Sequence, residues 1–309
     1  MTTLRLAHSP DSDDLVMWWP LTGMRGPDGE RVPGELGSPR IDTEGLEFEL
    51  VAEDVQALNA MVSATDGGEL DITAISAATY PSVKDRFAIT SCGGSFGEGY
   101  GPKVVVAEAS ALRTLDDLRG KVIAVPGLGT SAFLTLSMAL GATPDASAFE
   151  AKPMLFSDVP GAVTSGAADA GLLIHEAQLT FAELGLRAVV DLGQWWDGHA
   201  GMPLPLGLNV IRRDLDERVD GGMAKVSRVL SRSVGYATSH AEESQAYLQL
   251  HADDRPEWKD PALVEKYLGM YVSRMSLEMG VRGEESLRRF LGEGFERGLC
   301  GDPGGVDVV

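Results

Sequence analysis

The chain has 309 residues, with 26 Lys and Arg against 46 Asp and Glu, a formal net charge of −20. A chain this acidic is a poor partner for nucleic acid or an anionic membrane, because binding phosphates takes net Lys and Arg to displace counterions. At 44% hydrophobic residues it can build a real core, and at roughly 150 residues per domain its length suggests two domains.

Strand-like and helix-like segments alternate, which predicts an α/β protein. Leu4–His8 reads as a strand that runs into the turn Ser9-Pro-Asp-Ser-Asp-Asp14, followed by an apolar run, Leu15–Leu21, interrupted by Pro20. Eight Gly and Pro residues within 23–40 predict a surface loop. Leu46, Phe48 and Leu50 alternate with Glu47 and Glu49 as a half-buried strand, and a helix is predicted over Val55–Ser63. Strands are predicted at Asp71–Ile75, Phe87–Thr90 and Lys103–Ala107, with Gly93–Gly101 as a flexible loop. Lys121–Val125 is a strand, Pro126–Thr130 a tight loop and Ser131–Leu140 a helix stopped by Gly141. Ala170–Ile174 is a buried strand ending at His175-Glu176, and Leu186–Val190 and Leu206–Ile211 are further strands. The last hundred residues read as helical. Met223, Val226, Leu230, Val234 and Ala237 make one apolar face, and Leu287, Phe290, Leu291 and Phe295 another. Ser239 with Glu242 reads as a capping box and Asp260-Pro261 as an N-cap with proline at N1. The tail from Gly301 to Val309 is expected to fray.

Three strand-to-helix turns carry small hydroxyls: Ser9 with Asp14, Ser76 with Ala77, and Thr130 with Ser131. In an open α/β sheet ligands bind beyond the carboxyl ends of strands, where a helix N-terminus offers unpaired N–H groups to an anion without any lysine. The competing reading of Thr130 or Ser131 is a plain helix cap. Gly127-Leu-Gly-Thr-Ser-Ala132 matches the dinucleotide fingerprint, but Thr143–Glu150 reads as turns rather than as a strand ending in an acid, so a dinucleotide is not expected. Gly93-Gly-Ser-Phe-Gly97 matches a nucleophile elbow, yet Glu98-Gly-Tyr-Gly-Pro102 cannot start the helix that elbow needs.

Of the five histidines, His240 and His251 read as surface residues, and His8 ends a strand and could line the cleft. His175 emerges at the carboxyl end of Leu172-Leu-Ile174, where a group of near-neutral pKa suits proton abstraction. Leu179 stands where a zincin pattern needs a second histidine, and the two cysteines, Cys92 and Cys300, form no CxxC, so no metal site or disulfide framework is expected. Trp195-Trp196 reads as a packed crossover segment. The N-terminal residues carry one basic residue and no long apolar stretch, and nothing approaches the ~18 apolar residues of a membrane span; the expected location is the cytoplasm.

Several segments, in order, resemble the menaquinone-biosynthesis family of the futalosine route: Ala7-His-Ser-Pro-Asp-Ser-Asp-Asp14, Tyr80-Pro-Ser-Val-Lys-Asp-Arg86, Pro126-Gly-Leu-Gly-Thr-Ser-Ala-Phe133, Ala170-Gly-Leu-Leu-Ile-His-Glu176, and Asp191-Leu-Gly-Gln-Trp-Trp196 with Leu204-Pro-Leu-Gly207. The resemblance runs from about residue 4 to about 295. It implies a periplasmic-binding-protein-like (type II) α/β fold of two lobes with the ligand in the cleft between them. One lobe would comprise residues 1–103 and 208–309 and the other 104–207. It implies a lyase that converts cyclic de-hypoxanthinylated futalosine to 1,4-dihydroxy-6-naphthoate without a cofactor, because deprotonation and elimination lead to an aromatic product. By the same resemblance His175 is the base, and Ser9, Asp14, Ser76, Thr130 and Ser131 hold a small anionic aromatic carboxylate. The family's Cys-Pro-Asn is replaced here by Asp11-Ser12-Asp13, its following threonine by Leu15, and residues 23–40 look inserted. The alternatives are the sister activity chorismate dehydratase, which the His-Glu and Trp-Trp blocks fit less well, and a non-catalytic solute-binding protein for a small carboxylate.

Overall fold

A computed structural model describes residues 2–64, 69–252 and 255–309. Eleven strands form two sheets among these residues. The first sheet contains β1 (Thr2–His8), β2 (Leu46–Ala52), β3 (Ile72–Ser76), β4 (Phe87–Ile89), β5 (Ser95–Gly97) and β11 (Leu204–Arg212). Its order is β2-β1-β3-β11-β4, with β5 also pairing β11. The second sheet contains β6 (Lys103–Ala107), β7 (Val122–Val125), β8 (Glu150–Pro153), β9 (Ala170–Leu173) and β10 (Leu186–Asp191), in the order β10-β6-β9-β7-β8. Strands β1, β2 and β3 are parallel, as are β7, β8 and β9, while β11 and β6 run antiparallel to their neighbours.

Buried Val, Ile and Leu account for these strands. Every residue of β3 and β9 is buried, the pattern of a strand covered on both faces. Helices α1 (Ser12–Thr22), α2 (Val55–Ser63), α3 (Ser131–Ala139) and α4 (Leu192–Ala200) follow β1, β2, β7 and β10. The chain then closes with α5 (Gly222–Ser239), α6 (Ala241–Leu250), α7 (Pro261–Tyr271) and α8 (Gly280–Glu296). Pro20 lies in the last turn of α1, where it removes the hydrogen bond that Val16 O would accept, and the helix ends two residues later. Asp260 caps α7 by accepting from the N–H groups of Ala262 and Leu263, with Pro261 at N1.

The chain passes between the sheets twice, between Gly97 and Lys103 and between Asp191 and Leu204, a few residues from the limits expected at 103/104 and 207/208. The two passages touch. Leu192 N–H donates to Pro102 O at 2.8 Å, and a Cβ placed on Gly193 would lie 1.9 Å from Tyr100 O. Trp196 packs edge-on against Phe290 with ring centroids 5.4 Å apart and donates from Nε1 to Pro203 O at 3.2 Å, the packed crossover expected of this segment.

Several local expectations differ from the structure. Ser95–Gly97 is not a free loop but β5, because its backbone finds partners on β11. A strand does follow the glycine loop: β8 begins at Glu150, parallel to β7, yet it ends in Lys152-Pro153, so its acid stands at its start and not at its carboxyl end. No capping box forms at Ser239; its Oγ turns back to Gly235 O at 2.8 Å and His240 takes the N-cap position. Phe295 is 48% exposed, off the buried stripe of α8. The tail is tied down: Ile89 donates to Asp307 O and accepts from Val309 N–H, and Ser227 Oγ donates to Val309 O.

The touching passages make a direct prediction. Gly193→Ala should lower stability by about 1–3 kcal/mol, the usual cost of overpacking against atoms that cannot retreat. Urea unfolding of the two proteins checks it, and equal midpoints would show that the passages are free to part.

Candidate active site

The carboxyl ends of β1, β3, β7 and β9 converge on one cleft between the sheets. Ser9 leaves β1, Asp11 precedes α1, and Asp13 and Asp14 form its first turn. Ser76 ends β3, Thr130 caps α3, Ser131 begins it, and His175 stands two residues beyond β9. All six residues expected from sequence therefore line the same cleft. The structure adds Asp11, Asp13, Ser95, Gln178, Asn209, Tyr267 and Tyr271. The three acids of the first turn are visible as a motif, but Asp13 and Asp11 can be assigned only once β1 and β9 are known to end side by side. Tyr267 and Tyr271 sit one helical turn apart on α7, far away in sequence, and carried no signal of their own.

His175 is the residue of most unusual geometry. It adopts a left-handed backbone, φ 54°, a conformation that non-glycine residues hold only when the surroundings impose it. The Gln178 amide, oriented to satisfy both of its ends, accepts the His175 N–H at 3.2 Å, and Tyr271 is bonded to the same amide. The ring stands edge-on to Phe156 at 4.7 Å between centroids. Its Nδ1 is paired with the carboxylate of Asp11, while Nε2 is buried and has no hydrogen-bond partner in the protein. Burial pushes this imidazole down, but the Asp11 carboxylate more than reverses it, so the net shift is upward. Asp11 moves the other way: burial would raise it, and His175 holds it below its ordinary value.

The neighbouring acids behave differently. Asp13 is pushed well up by burial and by Asp11, Asp14 and Glu176. Asp14, whose Oδ2 accepts from Ser9 N–H at 2.7 Å, is pushed up to about 8 by burial and then by Asp11. Of the three acids in this turn, Asp11 is thus the one held towards its ionised form, while burial and neighbouring charge favour the neutral forms of Asp13 and Asp14. Ser9 Oγ, Asp13 Oδ1 and Asn209 Oδ1 also lack protein partners, an unusual concentration of unsatisfied buried polar atoms.

The far end of the cleft is built from hydroxyls and backbone. Thr130 Oγ1 donates to Gly127 O at 2.8 Å and accepts Phe133 N–H at 3.1 Å, so it does cap α3. Ser131 Oγ donates to Leu206 O at 2.6 Å and accepts Ala78 N–H at 3.2 Å. Ser76 is bonded to Asn59 through both its N–H and its Oγ. His8, expected near the cleft, is instead buried beside it with Nδ1 2.7 Å from Ser9 O, because the chain turns at Ser9 and carries His8 behind the lining.

Contacts across the cleft hold the sheets together. Glu176 Oε1 accepts from Ser12 N–H at 3.2 Å, Ser12 Oγ at 2.7 Å and Trp258 Nε1 at 3.0 Å. On the other side Gln56 Oε1 accepts from Gly129 N–H at 3.1 Å, and Thr79 Oγ1 donates to Gly129 O at 3.1 Å. Among the described residues no group of three or more His, Cys, Asp and Glu is arranged to hold a metal ion. No helix among them is long and apolar enough to cross a membrane.

The raised Asp14 has a consequence for stability. Its folded-state pKa lies above the unfolded value, so its contribution is complete below about pH 4 and is lost as pH rises towards about 8. Asp14→Asn stays neutral and keeps an acceptor for Ser9 N–H. Relative to the parent it should therefore melt higher at pH 8 than at pH 5, measured without ligand. Equal differences at the two pH values would mean that Asp14 is ionised throughout.

Residues 4–296 match the family model for menaquinone biosynthesis. The chain is 34% identical over 300 residues to a 1,4-dihydroxy-6-naphthoate synthase of Thermus thermophilus, covering 97% of each protein. It is 32% identical over 297 residues to one of Streptomyces coelicolor, covering 96% of this chain and 94% of that one. A solved structure from Archaeoglobus fulgidus, protein AF1704, superposes with a TM-score of 0.76 at 34% identity, covering 96% of this chain and 98% of that one. The alkanesulfonate-binding protein SsuA of Xanthomonas axonopodis shares the fold at a TM-score of 0.66 and 15% identity, over 98% of this chain and 96% of that one. The two-sheet architecture is thus the periplasmic-binding-protein-like fold. The chain belongs to the menaquinone biosynthesis family, and it is an enzyme of the type its curated relatives represent.

Proposed function

We propose that this enzyme converts cyclic de-hypoxanthinylated futalosine to 1,4-dihydroxy-6-naphthoate, with His175 as general base. The observation that carries the reading is Nε2 of His175, buried, unpartnered within the protein and facing the cleft, while Nδ1 is tied to Asp11. With Nδ1–H donated to the carboxylate, the neutral ring presents its lone pair at Nε2. It takes a proton from the bound substrate, and elimination of the sugar-derived fragment leaves the aromatic product. Similarity to two naphthoate synthases over nearly the whole chain supports this reading above chorismate dehydratase. A binding protein needs no free base beside an ionised carboxylate, which weighs against a purely binding role.

The substrate's carboxylate goes to the start of α3. No lysine or arginine lines the described cleft. The first helical N–H groups of Ser131 and Ala132 and the positive end of the helix dipole take the place of a cationic side chain. The hydroxylated part of the substrate then meets Asp13 and Asp14, which donate and accept hydrogen bonds in their neutral form.

His175→Asn should abolish turnover of the cyclic futalosine derivative while product affinity stays within about tenfold, because a general base acts on the chemical step. Near-normal turnover would end the mechanism. The double variant Thr130→Ala, Ser131→Ala tests the other end. It should weaken substrate binding by about tenfold or more, with roughly 1 kcal/mol lost in ligand-free melting from the missing cap. Lost stability with unchanged affinity would mean that the hydroxyls only shape the helix start, and the carboxylate would have to bind elsewhere.

A further inference from the structure

The partner of His175 comes from the opposite sheet. Asp11 lies at the end of the β1 turn in the first sheet, and His175 follows β9 in the second, 164 positions away along the chain (175 − 11). The side chain of Asp11 is only 6% exposed, and its Oδ2 is committed to the imidazole. The sequence shows Asp11 only as one of three acids in the turn after β1. Burying a carboxylate without a partner is expensive, so Asp11 needs a compensating contact. His175 supplies it.

We infer that Asp11 is the positioning residue of the proposed base: its carboxylate accepts the hydrogen bond that Nδ1–H donates, fixes the tautomer with Nε2 bare, and keeps the ring turned into the cleft. The inference rests on the reading of His175 as the base. In the step itself the substrate's C–H proton goes to Nε2, the imidazolium is stabilised by the Asp11 carboxylate, and Asp11 stays ionised. The other titratable groups around the ring are Asp13 and Asp14 on the first turn of α1, Glu176 beside it, Asp54 at the start of α2 and Tyr267 on α7. Glu176 is already bonded to Ser12 and Trp258, and Asp54 caps α2 through the N–H groups of Gln56 and Ala57. Asp13 and Asp14 sit beside one another with Asp14 turned to Ser9 N–H. Asp11 alone among these groups is paired directly with the ring.

The sign of the pH effect follows. Removing the carboxylate leaves burial in control, and burial lowers an imidazole. In Asp11→Asn the acid limb of the kcat profile should therefore move to lower pH, while kcat at its plateau falls by about 10²-fold and KM changes little. Nitrogen NMR of the labelled imidazole in the ligand-free enzyme gives a readout independent of turnover: His175 should titrate at lower pH and lose its preference for protonated Nδ1. Asp11→Glu should recover part of the rate and of the shift. If neither the imidazole titration nor the acid limb moves, Asp11 is a structural residue and the inference fails. The imidazole titration keeps this failure distinct from failure of the base reading, because it is read without turnover: an unmoved titration in Asp11→Asn overturns the positioning role of Asp11, whereas full turnover in His175→Asn overturns the base.

Discussion

A buried imidazole facing a buried carboxylate across the gap between two sheets is the interaction on which the site depends. Neither group is tolerable alone: burial pushes His175 towards its neutral form and Asp11 towards its protonated form, and each reverses the effect on the other. The two come from β-strand ends in different sheets, so the pair exists only because the fold brings those ends together. The adjacent pair, Ser12 with Glu176, repeats the arrangement one residue further along both segments. Two consecutive residues of the β1 turn are therefore matched with two consecutive residues after β9. Such a double register fixes both the separation of the sheets and the direction of the His175 ring, and it accounts for the left-handed backbone that His175 adopts.

The electrostatics of the cleft follow from the same burial. A chain of net charge −20 that crowds Asp11, Asp13 and Asp14 into one turn looks hostile to an anionic ligand. Crowding is what removes the hostility. Burial raises all three, Asp11 raises Asp13 and Asp14, and His175 holds Asp11 itself below its ordinary value. The other two are biased towards their neutral, hydrogen-bond-donating form. At the opposite end of the cleft the backbone at the start of α3 offers partial positive charge without bringing a mobile cationic side chain into a narrow space.

Much of this was legible in the sequence, for reasons that depend on locality. The strand-to-helix turns at Ser9, Ser76 and Thr130 were readable because the change from β to α patterning and the small capping residues lie within a few positions of one another. His175 was readable because a short buried strand ends immediately before it. Asp11 was seen only as part of an acidic run, since its meaning lies in a residue 164 positions away, and no local pattern carries that pairing. Tyr267 and Tyr271 were hidden for the same reason: their spacing marks a helix face, but only the packing of α7 over the cleft says what that face meets. The capping box at Ser239 failed for a different reason. Its hydroxyl has a nearer partner in the last turn of α5, and i−4 carbonyls compete with caps for serine side chains. The tail looked free because it lacks periodicity, yet single residues of it complete the edge at Ile89 and Ser91.

The departure from the family's opening turn can be understood from what surrounds it. Without a carboxylate at position 11 the ring would keep only the weaker pull of Glu176 and Asp54 against its burial. Aspartate makes the ring a stronger base, at the cost of a buried charge and two further acids held out of their ordinary ionisation. The expense is visible in Asp13 and Asp14, and in the polar atoms left without protein partners around them. Groups in that condition destabilise a folded protein unless something else answers them. A polyhydroxylated ligand answers them directly, because its hydroxyls both donate and accept. The buried polar atoms of the first turn and the hydroxyls of the proposed substrate are complementary, and the same turn that makes His175 more basic supplies that complementarity.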